Sequence, residues 1–258
     1  MQRSGTDNIY PSLPYENEKM KTLRRETQKP FSKEDFVTFY FLRPLSIYIS
    51  LGIKKYTTFS ANQITYVMAI LAFISPVVVF FQTTLSSVIW TGMILYHIVF
   101  MLDMIDGEVA RLRGTVSKKG EIVDATLWFL LPALYVVYST KILHFIHFEK
   151  LTIAIVMVIV SSVMTFILQK IYPPKQNISK YIPRTISIQG RIQYMIRYIL
   201  SQGGIYLIAP LWYLSGLSGS VLKAYWILTL PLYFFYSFLR LRNVLKDADS
   251  TLKVQDGD

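Results

Sequence analysis

Six apolar stretches, each long enough to cross a bilayer, limit what this 258-residue chain can fold into. A hydrocarbon layer of roughly 30 Å needs about 20 predominantly apolar residues in a helix. The sequence predicts such spans at 60–82, 87–111, 121–143, 150–171, 196–216 and 220–241. We therefore expect an all-α integral membrane protein with six transmembrane helices.

The distribution of basic residues predicts how these spans are oriented. The chain carries a net charge of +11, yet its mean hydropathy is +0.37 and only 17% of its residues are charged. Twenty-four of the 27 Lys and Arg residues fall in the end segments and in two of the loops, and the opposite loops hold only Lys141, Lys150 and Lys223. Since basic residues concentrate on the cytoplasmic side, both termini are predicted to be cytoplasmic in a multi-pass inner-membrane protein. Nucleic-acid binding is disfavoured, because the basic residues flank spans and accompany no nucleic-acid motif.

The two ends of the chain have a different character from its centre. Residues 1–30 are polar and contain no apolar core of signal-peptide type, so we expect a flexible cytoplasmic tail there and another at 246–258, around a membrane domain at 31–245. The stretch "EDFVTFYFLRPLSIYISLGIKKY" mixes aromatic, aliphatic and basic residues and predicts an amphipathic helix in the headgroup layer. Asp35 or Ser32 is the expected N-cap.

Carboxylates stand at the predicted cytoplasmic ends of spans two and three. Asp103 and Asp106 are three residues apart and share a helix face with Gly107, while Gly120 and Asp124 repeat this arrangement across a short basic turn. Clustered carboxylates at membrane depth need a cation between them. Oxygen ligands favour Mg²⁺ or Mn²⁺, which commonly meets substrate phosphates, so phosphoryl chemistry is predicted. The alternative is that the acids act as interfacial anchors paired with Arg111, Arg113, Lys118 and Lys119.

These residues follow the spacing Asp-x2-Asp-Gly-x2-Ala-Arg-x8-Gly-x3-Asp, which is matched by Asp103, Asp106, Gly107, Ala110, Arg111, Gly120 and Asp124. The pattern resembles the signature of the CDP-alcohol phosphatidyltransferases. The segments "RPLSIYIS" at 43–50 and "FSANQITYVMAIL" at 59–71 are similar to those preceding the first span in a prokaryotic branch that includes inositol-phosphate-transferring enzymes. The resemblance covers about residues 40–245.

The resemblance implies an enzyme of phospholipid or glycolipid biosynthesis that transfers a substituted phosphate from a CDP-linked alcohol donor to a lipid or polyol acceptor and releases CMP. It further implies a homodimer among membrane lipids, with Mg²⁺ or Mn²⁺ as cofactor. Asp103, Asp106 and Asp124 would be the catalytic residues and metal ligands. The nucleotide would be bound by Gly107, Ala110, Arg111, Gly120 and Asn62.

Trp128 stands where the signature has its fourth aspartate, which the family uses as general base. An indole can neither accept a proton nor bind Mg²⁺, so three interpretations are open. The chain is catalytically impaired and retains nucleotide binding as a scaffold; or it uses an acceptor that is already anionic; or another carboxylate, Glu121 or Glu108, replaces the base. A transporter is a more distant alternative, because polar residues do not thread several spans.

Other polar residues have two interpretations each. Arg184, Arg191 and Arg197 lie in a basic connection that could bind an acceptor or lipid phosphate, or could simply follow the positive-inside bias. Arg43 is expected at the lipid-phosphate layer or as an interfacial anchor. Glu108 is expected to meet solvent or a lysine, and His97 to be a satisfied interior histidine.

Overall fold

A computed structural model describes residues 10–31, 34–116, 131–157, 159–160, 188–199, 202–232, 234–235, 239 and 242. Within these ranges all regular structure is helical, which confirms the all-α prediction. The order is α1 Glu18–Thr27, a π-helical turn Thr38–Leu42, α2 Arg43–Tyr56, α3 Ala61–Phe80, α4 Leu85–Arg113, α5 Leu131–Phe145, α6 152–157, α7 Ile188–Ile199, α8 Ile205–Ser215 and α9 219–232.

The boundaries of α3 and α4 are set by local caps. Ser60 accepts a hydrogen bond from the Gln63 N–H at 3.2 Å, and the Gln63 side chain accepts one from the Ser60 N–H at 2.8 Å. This reciprocal arrangement satisfies two N–H groups that a helix start leaves unpaired. Thr84 and Ser87 form the same box at the start of α4, which ends at Gly114 in the left-handed conformation. The predicted spans 60–82 and 87–111 therefore match α3 and α4 to within two residues.

The central element is α4, which contacts α1, α2, α3, α5 and α8. One large apolar core joins α4 to α5, α6, α8 and α9, with Tyr138, Tyr206 and Trp226 among its fully buried side chains. Two smaller clusters join α4 to α3, one of them around Ile64, Ile105 and Val109. The helix that carries the first half of the signature is thus held on several sides.

Gly92 allows α4 and α5 to approach closely. A Cβ at this position would lie 2.1 Å from a ring carbon of Tyr138, whose side chain is fully buried and stacked on Tyr206 with centroids 4.6 Å apart. Small residues at helix contacts are typical of membrane bundles, because packing rather than hydrophobic burial drives association there.

α2 is amphipathic in the sense expected for an interfacial helix. Its apolar side chains Leu45, Tyr48 and Ile49 are exposed, and the exposed stripe continues to Phe41 in the preceding turn. The opposite stripe, Arg43, Ser46 and Ser50, is buried against α4. The predicted N-cap is confirmed at Asp35, which accepts hydrogen bonds from the Thr38 N–H at 2.9 Å and hydroxyl at 2.6 Å.

The six-span topology is not confirmed. Among the described residues, α3 and α4 are long and apolar enough to cross a membrane. The predicted span 196–216 is divided, since α7 ends at Ile199 and α8 begins at Ile205 after a 3₁₀ turn at Gln202–Gly204. A Cβ on Gly204 would lie 2.2 Å from the carbonyl oxygen of Ile199, so this turn depends on glycine. With 11 residues, α8 is shorter than a bilayer-crossing helix.

The N-terminal segment differs from the flexible tail that the sequence predicts for residues 1–30. Residues 18–27 form α1, capped at Asn17 by a hydrogen bond from the Met20 N–H at 3.0 Å. Arg24 and Thr27 of this helix are buried, and α1 packs on α4. A few buried polar residues therefore hold this helix on α4, while Glu18, Lys19, Arg25 and Glu26 stay exposed.

We expect Gly92→Ala to destabilise the fold by about 1–3 kcal/mol, because the added methyl overpacks a contact whose aromatic partner cannot retreat. Gly52→Ala is the matched control, since a Cβ there meets nothing within 4 Å. Thermal unfolding in detergent, followed by tyrosine and tryptophan fluorescence, measures both. Equal unfolding midpoints for the two variants would show that the contact between Gly92 and Tyr138 is not tight.

Candidate active site

The signature residues of α4 form one stripe at the end of the helix that precedes the basic turn. Asp103, Asp106, Gly107 and Ala110 are spaced i, i+3, i+4 and i+7, so they lie along one face. Asp106 is 7% exposed, and Asp103 is partly buried. The shared face predicted for the two aspartates is consistent with their places in a continuous helix.

Thr65 of α3 holds one of the two carboxylates. Its hydroxyl donates a 2.6 Å hydrogen bond to Oδ2 of Asp106. The neighbouring Ile64 packs on Ile105 and Val109, which fixes the two helices on either side of this bond. Thr65 was not predicted as a site residue, although it is the last residue of the "NQIT" segment that the sequence singles out.

Arg111 connects the signature stripe to the N-terminal helix. Its Nε donates to the carbonyl oxygen of Thr27 at the end of α1. Its Nη2 and Nη1 lie 3.3 Å and 3.4 Å from the point where Gly107 would carry a Cβ. The guanidinium therefore covers the glycine of the signature, where an anion approaching the backbone would meet it.

Glu108 does not meet solvent or a lysine, and that prediction is wrong. Its side chain is fully buried and its Oε1 accepts hydrogen bonds from Gln28 at 2.7 Å, Arg43 at 2.9 Å and Ser46 at 2.6 Å. Its Oε2 accepts one from Ser50 at 2.7 Å. A buried carboxylate needs such donors, because an uncompensated charge in the interior is strongly unfavourable.

Arg43, for which the sequence offered contact with lipid phosphate or a role as interfacial anchor, is buried against protein carboxylates. It is 2% exposed and lies between two carboxylates, donating to Glu34 at 2.7 Å and to Glu108 at 2.9 Å. Burial raises the pKa of Glu34 above its ordinary value, and the guanidinium of Arg43 offsets only part of that effect. Arg43 is therefore a structural cation.

Arg24 anchors α1 with every N–H of its guanidinium. It donates to Glu16, to Gln28 at 2.9 Å, and to the carbonyl oxygens of Arg43 at 3.1 Å and Pro44 at 3.0 Å. Burial by itself raises the pKa of Glu16, but hydrogen bonds from Arg24, Tyr48 and the Leu13 N–H outweigh it and hold the pKa below 4.5. Burial, together with the hydrogen bond to the Glu16 carboxylate, raises the pKa of the Tyr48 hydroxyl to about 12.

The remaining predicted site residues are dispersed or lie outside the described ranges. Asn62 is exposed in the first turn of α3, and Arg191 is exposed on α7. Nothing is described of the Arg197 side chain, and Gly120, Asp124, Trp128 and Arg184 lie outside the described residues. His97 is a satisfied interior histidine as predicted, with its Nδ1 2.8 Å from the carbonyl oxygen of Met93.

The described part of the site fits a hard divalent cation in its donor chemistry. Two carboxylates on one stripe supply the oxygen ligands that Mg²⁺ and Mn²⁺ prefer. Within the described ranges, three or more carboxylate or imidazole side chains do not gather at one point. The third predicted ligand, Asp124, is outside them.

The arrangement of these helices and acidic residues can be compared with known protein families. In the part of the chain that the structure describes, all regular structure is helical, two helices are able to cross a membrane, and one of them carries paired aspartates near its end, which fits a membrane-bound transferase of phosphate groups. Residues 59–232, about two thirds of the chain, match the family model for CDP-alcohol phosphatidyltransferase. The chain belongs to the CDP-alcohol phosphatidyltransferase family, as the signature spacing predicts. A search of characterised proteins found no match.

Replacing Glu108 by alanine should destabilise the protein by about 3–5 kcal/mol, because it leaves part of the charge of Arg43 and three further donors without their acceptor. Glu108→Gln should cost less, since the amide keeps one acceptor and the packing volume. The control is Glu18→Ala, whose side chain is 78% exposed. Thermal midpoints that fall equally in Glu108→Ala and Glu18→Ala would contradict the buried contacts.

The lowered pKa of Glu16 predicts how the thermal stability of the protein depends on pH. The contribution of Glu16 to stability is complete above the ordinary pKa of a glutamate, which applies in the unfolded state, and is lost as the pH falls through its lower folded-state pKa. Between about pH 5 and 3, the thermal midpoint of Glu16→Gln should therefore fall less steeply than that of the wild type. Glu26→Gln, exposed on α1, should keep the wild-type slope. Parallel curves for wild type and Glu16→Gln would contradict the assignment.

Proposed function

We propose that the protein transfers a substituted phosphate from a CDP-linked alcohol to an acceptor at the cytoplasmic membrane face and releases CMP. The family match supports transfer from a CDP-alcohol. The observation that carries the proposal is the stripe of Asp103, Asp106 and Gly107 beside the guanidinium of Arg111. The two carboxylates can bind a divalent cation, and the neighbouring guanidinium can bind a phosphate oxygen. A nucleotide pyrophosphate needs both kinds of partner.

In this proposal the residues of α4 bind the donor in defined roles. Asp103 and Asp106, with Asp124, would hold Mg²⁺ or Mn²⁺, which would neutralise the pyrophosphate of the donor when bound. Thr65 orients the Asp106 carboxylate, and Gly107, which has no side chain, leaves room for the Arg111 guanidinium beside the phosphates. Arg111, with Asn62, Ala110 and Gly120, lines the nucleotide pocket. An acceptor oxygen attacks the phosphorus that carries the alcohol, and the bond to the CMP phosphate breaks with its electron pair on CMP.

The acceptor must be deprotonated without the usual aspartate, because Trp128 occupies its position. Glu108 does not replace it, since its carboxylate is fully buried among four donors on a different face of α4. Glu121, the other alternative, lies outside the described residues. We propose an acceptor whose nucleophile is an anionic phosphate, which carries no proton to remove and needs no carboxylate base. The product would then contain a new diphosphate bond.

We propose that the enzyme lies in the inner membrane with six spans, the fifth interrupted by the turn at Gln202–Gly204, with both termini cytoplasmic, as a homodimer among membrane lipids in phospholipid or glycolipid synthesis. The asymmetry of Lys and Arg supports this orientation. Arg184, Arg191 and Arg197 are the proposed ligands of the acceptor or lipid phosphate. The competing function is a catalytically impaired member that binds nucleotide as a scaffold, which the tryptophan at position 128 favours.

The experiment is a CMP-release assay with purified protein, Mg²⁺ or Mn²⁺, candidate CDP-alcohols, and each polyol acceptor supplied with and without a phosphate group. We expect release only with phosphorylated acceptors and its loss after EDTA treatment. Asp106→Asn should lower the rate at least about 10²-fold, as expected when a catalytic group is removed. Release that persists in EDTA, or a rate unaffected by Asp106→Asn, would refute metal-dependent transfer at this site.

Trp128→Asp separates the two functions. If only the base is missing, the variant should gain turnover with hydroxyl acceptors by about 10²-fold or more, while Trp128→Phe should not. If the wild type is inactive with every acceptor and Trp128→Asp becomes active, the scaffold function is supported. If the wild type releases CMP with phosphorylated acceptors and Trp128→Asp does not raise that rate, the anionic-acceptor mechanism is supported.

A further inference from the structure

The N-terminal segment 10–31 lies outside the region that matches the family, yet it reaches the signature helix. Gln28, at the end of α1, donates from Nε2 to Oε1 of Glu108 at 2.7 Å and to the Arg43 carbonyl oxygen at 2.8 Å. Gln28 is 6% exposed and Glu108 is fully buried. A residue eighty positions away in sequence therefore contacts the middle of the signature.

The backbone beside Gln28 holds a second signature residue. The carbonyl oxygen of Thr27 accepts from Nε of Arg111, and Thr27 is 3% exposed. The two Nη atoms of the same guanidinium lie over Gly107. One side of Arg111 is thus fixed by α1, and the other faces the position where the proposed function puts the pyrophosphate.

The segment cannot easily slide along α4, because its own anchor is buried. Arg24 is fully buried, and its five N–H groups donate hydrogen bonds to Glu16, to Gln28 and to the carbonyl oxygens of Arg43 and Pro44. An arginine with all donors used in a planar fork fixes both position and orientation. Thr27 and Gln28 therefore have one place relative to α2 and α4.

We propose that residues 10–31 form a positioning strap that holds Arg111, through the Thr27 carbonyl and the bond of Gln28 to Glu108, in the orientation that binds the donor's pyrophosphate. The inference rests on the proposed function of the α4 stripe. Neither Gln28 nor Thr27 touches the nucleotide in this account, since both act through Arg111. A strap that only stabilises the fold would lower stability without a specific effect on nucleotide affinity.

A double-mutant cycle distinguishes these roles. The dissociation constant of CDP with Mg²⁺ is measured by calorimetry for the full-length wild type, Gln28→Met, Arg111→Ala and the double variant. Gln28→Met keeps the packing volume and removes the hydrogen bonds. We expect Gln28→Met to weaken CDP binding about 5- to 50-fold and to have no further effect once Arg111 is alanine, because coupled residues are not additive.

The outcomes are decisive in each direction. Unchanged CDP affinity in Gln28→Met, or the same fold loss in both backgrounds, overturns the strap while leaving the proposed function intact. A wild type that binds no CDP overturns both. Lys21→Ala, on the solvent side of α1, is the control and should bind CDP as the wild type does. If Gln28→Met does not fold, Arg24→Lys tests the same anchor with its charge retained, and the same cycle with Arg111→Ala applies.

Discussion

The buried carboxylate of Glu108 is the interaction on which the packing of α1 and α2 against the end of α4 depends. Four side chains donate hydrogen bonds to it: Gln28 at the end of α1, and Arg43, Ser46 and Ser50 of α2. A charge without water is tolerated only when its lone pairs are satisfied, so the three segments must assemble together. Arg43 extends the same network to Glu34, and Arg24 extends it to Glu16. The N-terminal segment is part of the folded unit for this reason.

This arrangement divides α4 into two functional faces. Asp106 and Glu108 are two positions apart, which turns their side chains about 200° from one another around the helix. One face carries the two aspartates and the glycine to which the proposed function assigns the cation and the nucleotide. On the other face, the carboxylate of Glu108 holds α1 and α2. Arg111 stands between the faces, with Nε on α1 and its Nη atoms over Gly107. The structural network can therefore influence the chemistry without sharing any acid with it.

The sequence predicts the parts of this protein that follow from local patterns. The all-helical class, the limits of α3 and α4, the Asp35 cap and the family membership follow from apolar length, capping residues and signature spacing. The polar anchoring of α1 could not be predicted, because Gln28 and Glu108 are far apart in sequence and a polar terminal segment is typical of a tail. One clue was present: Arg43, Ser46 and Ser50 form a polar stripe on an otherwise apolar helix. The break near Gly204 was missed, because averaged hydropathy does not register a close backbone approach.

The central claim is that the Asp103–Asp106 stripe of α4 binds a divalent cation together with a cytidine nucleotide beneath Arg111. The most direct test is an experimental structure grown with Mn²⁺ and CDP, with the metal located by its anomalous scattering. The account predicts a Mn²⁺ peak bonded to both carboxylates and to the pyrophosphate, with the Arg111 Nε still on the Thr27 carbonyl. Well-ordered CDP and Mn²⁺ bound elsewhere, with Asp103 and Asp106 contacting neither, would contradict it.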